Sequence, residues 1–322
     1  MATLSAAQRE TLDREGYLVV EGVLDPVRNI GPALTEYAQV LDDIATRFLA
    51  EGVISDDYRT LPFTQRLMCI CRESGRSVSQ YFDISLPQTG VRQDTPIHLG
   101  PALFGLLTTP SLLELVESVI GPEIYSNPVQ HIRMKLPAGS ISSASSDGLN
   151  AKIPWHQDNG VVLPEADQAT ILTVWIPLND ATVQNGCLQV IPRSHHGDLS
   201  PHCPGIRGAE IPVCLVSEEA ALPLPMRAGS ALLLHQRTMH SSLDNVTTDQ
   251  VRISLDLRYQ PIGQPTGRPA FPGFVAHSLA HPDTVLRDPA AWARLWLDTR
   301  ARLAQHENPA FNRWQAGVGV CA

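Results

Sequence analysis

Clustered basic residues are missing from this 322-residue sequence, which has 24 lysines and arginines, 33 acidic residues and a formal net charge of −9. Proteins that bind nucleic acids need clustered positive charge to neutralise phosphates. No apolar stretch is expected to span a bilayer, and the first residues lack the basic and apolar segments of a secretory signal. We therefore expect a cytoplasmic protein that binds neither nucleic acid nor membrane.

Cysteines are few and follow no metal-binding pattern. The six cysteines have spacings unlike those of zinc sites, and the nearest pair, Cys69 and Cys71, is separated by a single residue. In a chain of this length without a secretory signal, we expect cysteines to be reduced and mostly buried. Hydrophobic residues make up 43% of the chain, which allows a sizeable core and excludes disorder of the whole chain.

The first third of the sequence and its last segment have the periodicity of helices. Apolar residues at steps of three and four predict helices over 31–52, 62–71 and 102–120, with a break at Pro110. A shorter helix is predicted over 4–15, with Ser5 as its cap, and a strand follows it. Near the end, Asp288 and Pro289 indicate the start of another helix.

From about residue 123 the pattern changes to short strands separated by Gly, Pro and Asn, which is typical of a β-barrel or jelly roll. A Gly- and Ser-rich loop, which we expect to be mobile, interrupts it at 137–150. We predict one domain, mainly β with flanking helices: a mainly helical part (1–122), a double-stranded β-helix core (jelly roll, cupin-like; 123–262), and a C-terminal loop and helix (263–322).

One early strand of this region carries polar residues on a single face. His131, Arg133 and Lys135 alternate with apolar residues, so their side chains point to the same side. A polar face on an inner strand is unusual for a core and usual for a binding cavity. Lys135 has the alternative of reaching solvent at the strand end.

His156 and Asp158, in the segment WHQD, also point to one side if the segment is extended. Such a pair with one distant histidine forms the facial triad of non-heme iron(II), which leaves coordination positions open for substrates. Alone the pair is a weak signal, because surface pairs of this type are common. The candidates for the third ligand are His195, His196, His202, His235 and His240.

The residues after His240 favour it as the third ligand. A turn-like segment and a returning strand predict a hairpin that brings Arg252 close to His240. A metal ion beside a fixed guanidinium can hold a small dicarboxylate, with one end on the metal and the other paired with arginine. 2-Oxoglutarate has this structure. Arg258 has the same parity as Arg252 and is the alternative partner for the carboxylate.

These motifs resemble the phytanoyl-CoA dioxygenase family of iron(II)- and 2-oxoglutarate-dependent oxygenases. The matching segments occur in the family's order and are LDREGYLVVEGVL, WHQD, TVWIPLNDATVQNGCLQVIPRSH, HSSLDN and RISLDLRY. The sequence departs from the family at Arg193, where Gly is usual, and at Ser241, where Gly is common. The interval between His240 and Arg252 is also about one residue longer than is common.

The resemblance implies roles for individual residues. It makes His156, Asp158 and His240 the iron ligands. It makes Arg252, helped by the hydroxyl of Ser242, the partner of the distal carboxylate of 2-oxoglutarate. The residues that it places beside the cosubstrate or along the cavity are Trp175, Thr173, His131, Arg133 and Lys135. Trp175 has the alternative of a purely structural core aromatic.

The resemblance also implies a reaction. The enzyme would use dioxygen to convert 2-oxoglutarate into succinate and carbon dioxide, and would hydroxylate or otherwise oxidise a C–H bond of a small metabolite. Asp158 argues against halogenation, because halogenases of this type lack the carboxylate. Two alternatives stay open: a cupin-like metalloenzyme that does not use 2-oxoglutarate, and a non-catalytic barrel that binds a ligand.

Overall fold

The computed structural model describes residues 3–142, 150–205, 208–305, 309–311, 313–314, 317 and 319–321. Within these residues the helices are α1 (Ala6–Glu15), α2 (Gly31–Ala50), α3 (Phe63–Ser74), α4 (Pro101–Leu107), α5 (Pro110–Ile120) and α6 (Pro289–Leu303). The strands are β1 (Tyr17–Val20), β2 (Ile124–Ser126), β3 (His131–Lys135), β4 (Leu172–Pro177), β5 (Leu188–Val190), β6 (Cys203–Gly205), β7 (Gly208–Glu210), β8 (Leu222–Leu224), β9 (Ala231–His235), β10 (His240–Ser242), β11 (Arg252–Pro261) and β12 (Phe274–His277).

The helices begin at the signals that the sequence contains. The side chain of Ser5 accepts a hydrogen bond from the backbone N–H of Gln8 at the start of α1. Asp288 does the same for the N–H of Ala290 at the start of α6, where Pro289 is the first helical residue. A side-chain oxygen at this position satisfies one of the backbone donors that a helix leaves unpaired.

Two antiparallel sheets form the β core. The larger sheet has the order β1-β9-β4-β11-β2-β12, with β3 also paired to β11, and the smaller sheet has the order β10-β5-β8. Trp175, Leu232 and Leu234 of the larger sheet pack with Leu188 and Leu224 of the smaller one. Two sheets packed face to face in this way, in a mainly β chain, are the jelly roll that the sequence predicts.

The other face of the larger sheet is covered by helices. Val174 and Leu233 alternate with the residues that face the smaller sheet, and they pack with Leu41 of α2 and Leu107 of α4 in the main core. Both faces of the sheet are therefore buried, as the continuous apolar runs of β4 and β9 indicate.

Strand β11 lies between β4 and β3 and is buried along nearly its whole length. Ile253, Leu255, Leu257 and Tyr259 belong to the main core beneath the helices. The alternate residues, with side chains on the opposite face, are Arg252, Ser254, Asp256 and Arg258. This strand therefore brings a row of charged and polar groups to the inside of the jelly roll.

The predicted hairpin between His240 and Arg252 is wrong. Strand β10 pairs with β5 in the smaller sheet, whereas β11 pairs with β3, β4 and β2 in the larger sheet. The connection crosses from one sheet to the other, so His240 and Arg252 face each other across the jelly roll and not within a ladder. The larger sheet also extends outside the range 123–262, because β1 pairs with β9 and β12 with β2.

The expectation that all cysteines are reduced is also wrong. Cys203 and Cys321 form a disulfide, with their Cα atoms 5.3 Å apart, and Cys214 is exposed. The disulfide joins β6 to the C-terminal segment across a separation of 118 residues, for which the sequence has no local signal. Cys71 and Cys187 are buried, as expected.

One helical stretch is long and apolar enough to cross a membrane by length and composition, contrary to the expectation from the sequence. It is Pro101–Ile120, with a mean hydropathy of 1.5, and half of it is buried inside the protein. Its two helices, α4 and α5, contribute Leu107 and Leu115 to the main core. Buried core helices pass the same test, so this stretch is weak evidence for a membrane span. Residues 143–149 of the loop predicted to be mobile lie outside the described residues.

Candidate active site

Three buried side chains that could hold a metal ion meet inside the jelly roll. His156, Asp158 and His240 each offer one ligand atom, and these atoms lie within 4.8 Å of one another. The backbones of His156 and His240 exchange two hydrogen bonds of 3.0 Å, which fixes the two imidazoles side by side. Nε2 of His156 lies 3.9 Å and Nε2 of His240 lies 4.0 Å from the carboxylate of Asp158.

Both imidazoles are oriented by backbone carbonyls. Nδ1 of His156 lies 2.9 Å from the carbonyl oxygen of Pro154, and Nδ1 of His240 lies 2.9 Å from that of Thr238. Because a carbonyl only accepts, each Nδ1 carries a proton and donates it there, which leaves Nε2 as the ring nitrogen on the side of Asp158. Burial and the neighbouring His240 lower the pKa of His156 to about 3, so this imidazole is neutral, the form that binds metals.

The carboxylate of Asp158 is held by two residues that the sequence does not connect with it. Arg258 donates from Nη2 to one oxygen, and Thr173 donates from its hydroxyl to the other. Burial alone would raise the pKa of Asp158, but the Arg258 guanidinium and the two imidazoles outweigh it and hold that pKa well below its usual value. The site therefore presents two imidazole nitrogens and one ionised carboxylate oxygen.

Arg252 is fully buried and incompletely paired. Its Nη1 donates to the hydroxyl of Ser254, and Nε and Nη2 have no hydrogen-bond partner among the described residues. The guanidinium carbon lies 5.3 Å from the centre of the Trp175 ring. Burial and the nearby Arg133 lower the pKa of Arg252 to about 9, so it is still cationic at neutral pH. Arg252 is therefore a buried cation that forms no ion pair with a carboxylate of the described residues. Such a group is a site for an anion.

Arg252 and the metal-binding group share one narrow cavity. Its walls include His156, His240, Thr173, Trp175 and Arg252. A small dicarboxylate could therefore reach the triad with one end and Arg252 with the other. The chemistry of the donors fits iron(II) with 2-oxoglutarate, because two imidazoles of the metal-binding group and an incompletely bonded guanidinium line the same space.

Ser242 and Lys135 bind each other and do not contact Arg252 by hydrogen bonds. Lys135 is buried, so the alternative that it reaches solvent is wrong; its ammonium donates to the hydroxyl of Ser242 and to the carbonyl of Leu243. The same hydroxyl accepts from the N–H of Ile153 at 2.8 Å. Burial, and then the charge of Arg252, lower the pKa of Lys135 well below its usual value.

His131 and Arg133 line a second, wider cavity of about 500 Å³ that also reaches His156. Nδ1 of His131 lies 2.9 Å from Asp83, and Arg133 donates to Asp256 at 3.2 Å. Sequence reasoning missed both acidic partners. The alternation of β11 could have indicated Asp256, whereas Asp83 comes from the helical part of the chain and has no such signal.

The other candidate residues have different roles. The other candidate histidines contact backbone groups. Nε2 of His195 lies 2.9 Å from the carbonyl of Asp13, and Nε2 of His196 lies 3.2 Å from that of Arg14. His202 accepts from the N–H of Gln157, and His235 accepts from the N–H of Arg237. Among the described residues, only His240 joins His156 and Asp158 in a metal-binding group. Arg258 uses its two Nη atoms for Asp158 and the carbonyl of Val129.

A His-Asp-His group inside a jelly roll, open to a cavity with an unpaired arginine, defines the class of the protein: a non-heme iron, 2-oxoglutarate-dependent oxygenase. The sequence model of the family described as phytanoyl-CoA dioxygenase matches residues 12–254. The chain therefore belongs to the phytanoyl-CoA dioxygenase family.

Two individual relatives have low sequence identity to this chain. The phytanoyl-CoA dioxygenase domain-containing protein 1 of Danio rerio is 26% identical over 256 residues, which cover 74% of this chain and 84% of the relative. The ectoine dioxygenase of Nocardia farcinica is 23% identical over 74% of this chain and 72% of its own.

Two solved structures show the same fold. The ligand-free non-heme monooxygenase ThoJ matches with a TM-score of 0.57 and 18% identity, over 92% of this chain and 99% of its own. EvdO2 from Micromonospora carbonacea, in complex with 2-oxoglutarate, matches with a TM-score of 0.51 and 21% identity, over 83% and 96% of the two chains.

Proposed function

We propose that this oxygenase hydroxylates or otherwise oxidises a C–H bond of a small molecule, with His156, Asp158 and His240 as its iron ligands. Arg252 carries the proposal. It is a buried cation, two of whose donors bond to none of the described residues, and it shares a cavity with two of the three ligands. A metalloenzyme of this fold that did not use 2-oxoglutarate would have no use for a guanidinium at that place, so the cupin-like alternative is disfavoured.

The ligands are suited to iron(II) by their chemistry and orientation. Each imidazole is held by a carbonyl at Nδ1, and the Asp158 carboxylate is held by Arg258 and Thr173. Bound iron(II) supplies the dioxygen chemistry that couples the decarboxylation of 2-oxoglutarate to substrate oxidation. The protein contributes the ligand geometry and a buried site that excludes water.

Arg252 binds the distal carboxylate of 2-oxoglutarate in this proposal. Ser254 fixes one end of its guanidinium, and the Trp175 ring forms a wall of the cavity beside it. Thr173 acts by positioning Asp158. Ser242 and Lys135 support the wall behind Arg252, because Lys135 lies directly opposite Arg252 in the ladder of β3 and β11.

His131 and Arg133 line the wider cavity, which we assign to the prime substrate. Because His156 lines both cavities, a substrate in the wider one would lie beside the metal. We further propose that the enzyme acts in the cytoplasm as one domain and needs no nucleic acid or membrane, since the acidic chain has no basic cluster.

The reaction is tested with purified protein under air. We expect succinate release that requires both iron(II) and 2-oxoglutarate and that rises when a substrate from a metabolite panel is added. In chloride buffer, mass spectrometry should find oxidised and not chlorinated product, because Asp158 would occupy the coordination position that a halide needs. Succinate release without added iron, or a chlorinated main product, would contradict the proposal.

A further inference from the structure

The wider cavity beside His156 has a mixed wall. Its volume is about 500 Å³, and its apolar lining residues include Val129, Ile153, Val161 and Phe311. Its ionisable lining residues include Asp83, His131, Arg133, Arg258 and Arg268. The charges of this cavity constrain the ligand that it takes, because buried charges need partners.

Nearly all of these charged groups are neutralised by the protein itself. Arg133 pairs with Asp256, with 3.2 Å between the charged atoms, and Arg258 pairs with Asp158. His131 lies 2.9 Å from Asp83. None of these groups therefore needs a charged group of the ligand as its partner.

Arg268 is different. It is 3% exposed and forms no ion pair with any described residue. Its Nη2 donates to the carbonyl of Val161 at 2.6 Å, and its Nε bonds to no residue in the part of the chain that the structure describes. Its guanidinium carbon lies 5.3 Å from the centre of the Phe311 ring. Burial lowers the pKa of Arg268 to about 10, which leaves it cationic at neutral pH.

The cosubstrate does not supply the missing negative charge. Arg252 and Arg268 line separate cavities, and the cavity with Arg252 is the one that we assign to 2-oxoglutarate. His156 is a wall of both. An anion at Arg268 therefore has to belong to the second molecule that reaches the metal, which is the prime substrate.

We infer that the prime substrate carries a carboxylate or phosphate group and that Arg268 binds this group. The inference rests on the proposed function, because it assigns the wider cavity to the prime substrate. A carboxylate and a phosphate share the planar or near-planar pair of oxygens that a guanidinium binds with two donors. The apolar wall takes the uncharged body of the substrate, and the anchored anion fixes which of its carbons approaches His156.

A purely structural role for Arg268 is the competing explanation. Its bond to Val161 holds the turn that follows Asp158, so a substitution could act through the metal site alone. The two explanations differ in one measurable quantity, the preference for an acid over the matching neutral amide. A structural role changes the affinity for both ligands, whereas an anion site changes their ratio.

The experiment uses the full chain with iron(II) and saturating 2-oxoglutarate under nitrogen, so that the cavity with Arg252 is filled. Phenylacetate, phenyl phosphate and the neutral phenylacetamide are titrated into it by calorimetry. The variants are Arg268→Met, which keeps the length without the charge, and Arg268→Lys, which keeps the charge. Arg92→Met, an exposed arginine paired with Asp94, is the matched control.

We expect the wild type and the control to bind at least one of the two anions about 10- to 150-fold more tightly than the amide, as a charge-assisted hydrogen bond allows. Arg268→Met should lose this preference and Arg268→Lys should keep part of it. The anion that binds more tightly distinguishes a carboxylate from a phosphate. If Arg268→Met does not fold, the acid preference of Arg268→Lys serves as the test.

Equal binding of acid and amide by the wild type would overturn the inference, as would an acid preference that survives in Arg268→Met. So would the absence of binding of both anions to a protein that still binds iron and 2-oxoglutarate. Failure of the wild type to bind 2-oxoglutarate would instead contradict the proposed function, so the two failures are distinguishable.

Discussion

The guanidinium of Arg258 binds the carboxylate of Asp158, and both groups are buried. The pair links the centre of the larger sheet to the segment that carries two of the three metal-binding residues. Because Thr173 holds the other oxygen of Asp158, the carboxylate is fixed from two sides before any metal binds. This arrangement keeps the ligand ionised and in place, and it occupies Arg258, so that of the two arginines of β11 only Arg252 is left for a second anion.

Arg258→Met should leave the carboxylate of Asp158 buried without its cation. Breaking such a pair costs about 3–5 kcal/mol. Urea unfolding of the metal-free variant should therefore show a free energy of unfolding that is lower than that of the wild type by about this amount. Because a divalent metal ion replaces the missing positive charge, the loss should be smaller when the protein is saturated with metal. The exposed Arg294→Met serves as a control. An equal loss of unfolding free energy with and without metal would show that the metal ion does not replace the charge of Arg258 beside Asp158.

The identity of the third ligand is tested with a pair of histidine variants. His240→Ala should lose nearly all iron(II) binding, because it removes one of three ligands. His235→Ala should bind iron as the wild type does, because the ring of His235 lies beside His195, 5.1 Å from it, and outside the metal-binding group. Equilibrium dialysis followed by metal analysis measures both. Normal binding in His240→Ala with loss in His235→Ala would reverse the assignment.

The disulfide between Cys203 and Cys321 should stabilise the protein against unfolding. Disulfides contribute roughly 2–4 kcal/mol by constraining the unfolded chain, and more when they close long loops. Cys203→Ser should therefore lower the free energy of unfolding by about this amount under oxidising conditions, whereas Cys214→Ser, at an exposed free cysteine, should not. A reducing agent should remove the difference between Cys203→Ser and the wild type; a difference that persists would contradict a role for the disulfide.

Much of the site could be predicted from local patterns. Alternation placed His131, Arg133 and Lys135 on one face of β3, and the same rule paired His156 with Asp158. Helix caps and proline positions fixed the start of α1 and α6. Such signals work because they depend on residues that are close in the sequence.

The predictions that failed, or that left alternatives open, concern contacts between distant segments of the chain. The hairpin after His240 is wrong because consecutive strands of a jelly roll can belong to opposite sheets, which turn residues alone do not reveal. The alternation of β11 could not decide whether Arg252 or Arg258 binds the carboxylate of 2-oxoglutarate, because both point to the same face. The two differ in their partners, since Asp158 bonds to Arg258 and not to Arg252. The pair of Asp83 and His131 joins segments that are 48 residues apart.

Arg193 shows how the structure explains a departure from the family. Its φ is 65°, in the left-handed region where glycine is favoured, which accounts for the glycine that the family usually has there. Its guanidinium forms two hydrogen bonds of 3.0 Å with Glu15, which help to hold this conformation.

The single-domain division of the chain, with boundaries near 122 and 262, stays a prediction. Strands β1 and β12 belong to the larger sheet although they lie outside the predicted core range. The apolar pattern of β1 was visible, but its pairing with β9 was not, because that pairing spans more than two hundred residues.

The binding of 2-oxoglutarate by Arg252 is the central claim, and titration of 2-oxoglutarate into the iron-loaded protein under nitrogen tests it most directly. Removing one partner of a buried charged pair costs ~2–5 kcal/mol, so Arg252→Met should weaken binding by roughly 30-fold to several-thousand-fold. Iron binding should be unchanged, and the exposed Arg294→Met should behave as the wild type. Unchanged 2-oxoglutarate affinity in Arg252→Met, with weakened affinity in Arg258→Met, would contradict the account and transfer the carboxylate to Arg258.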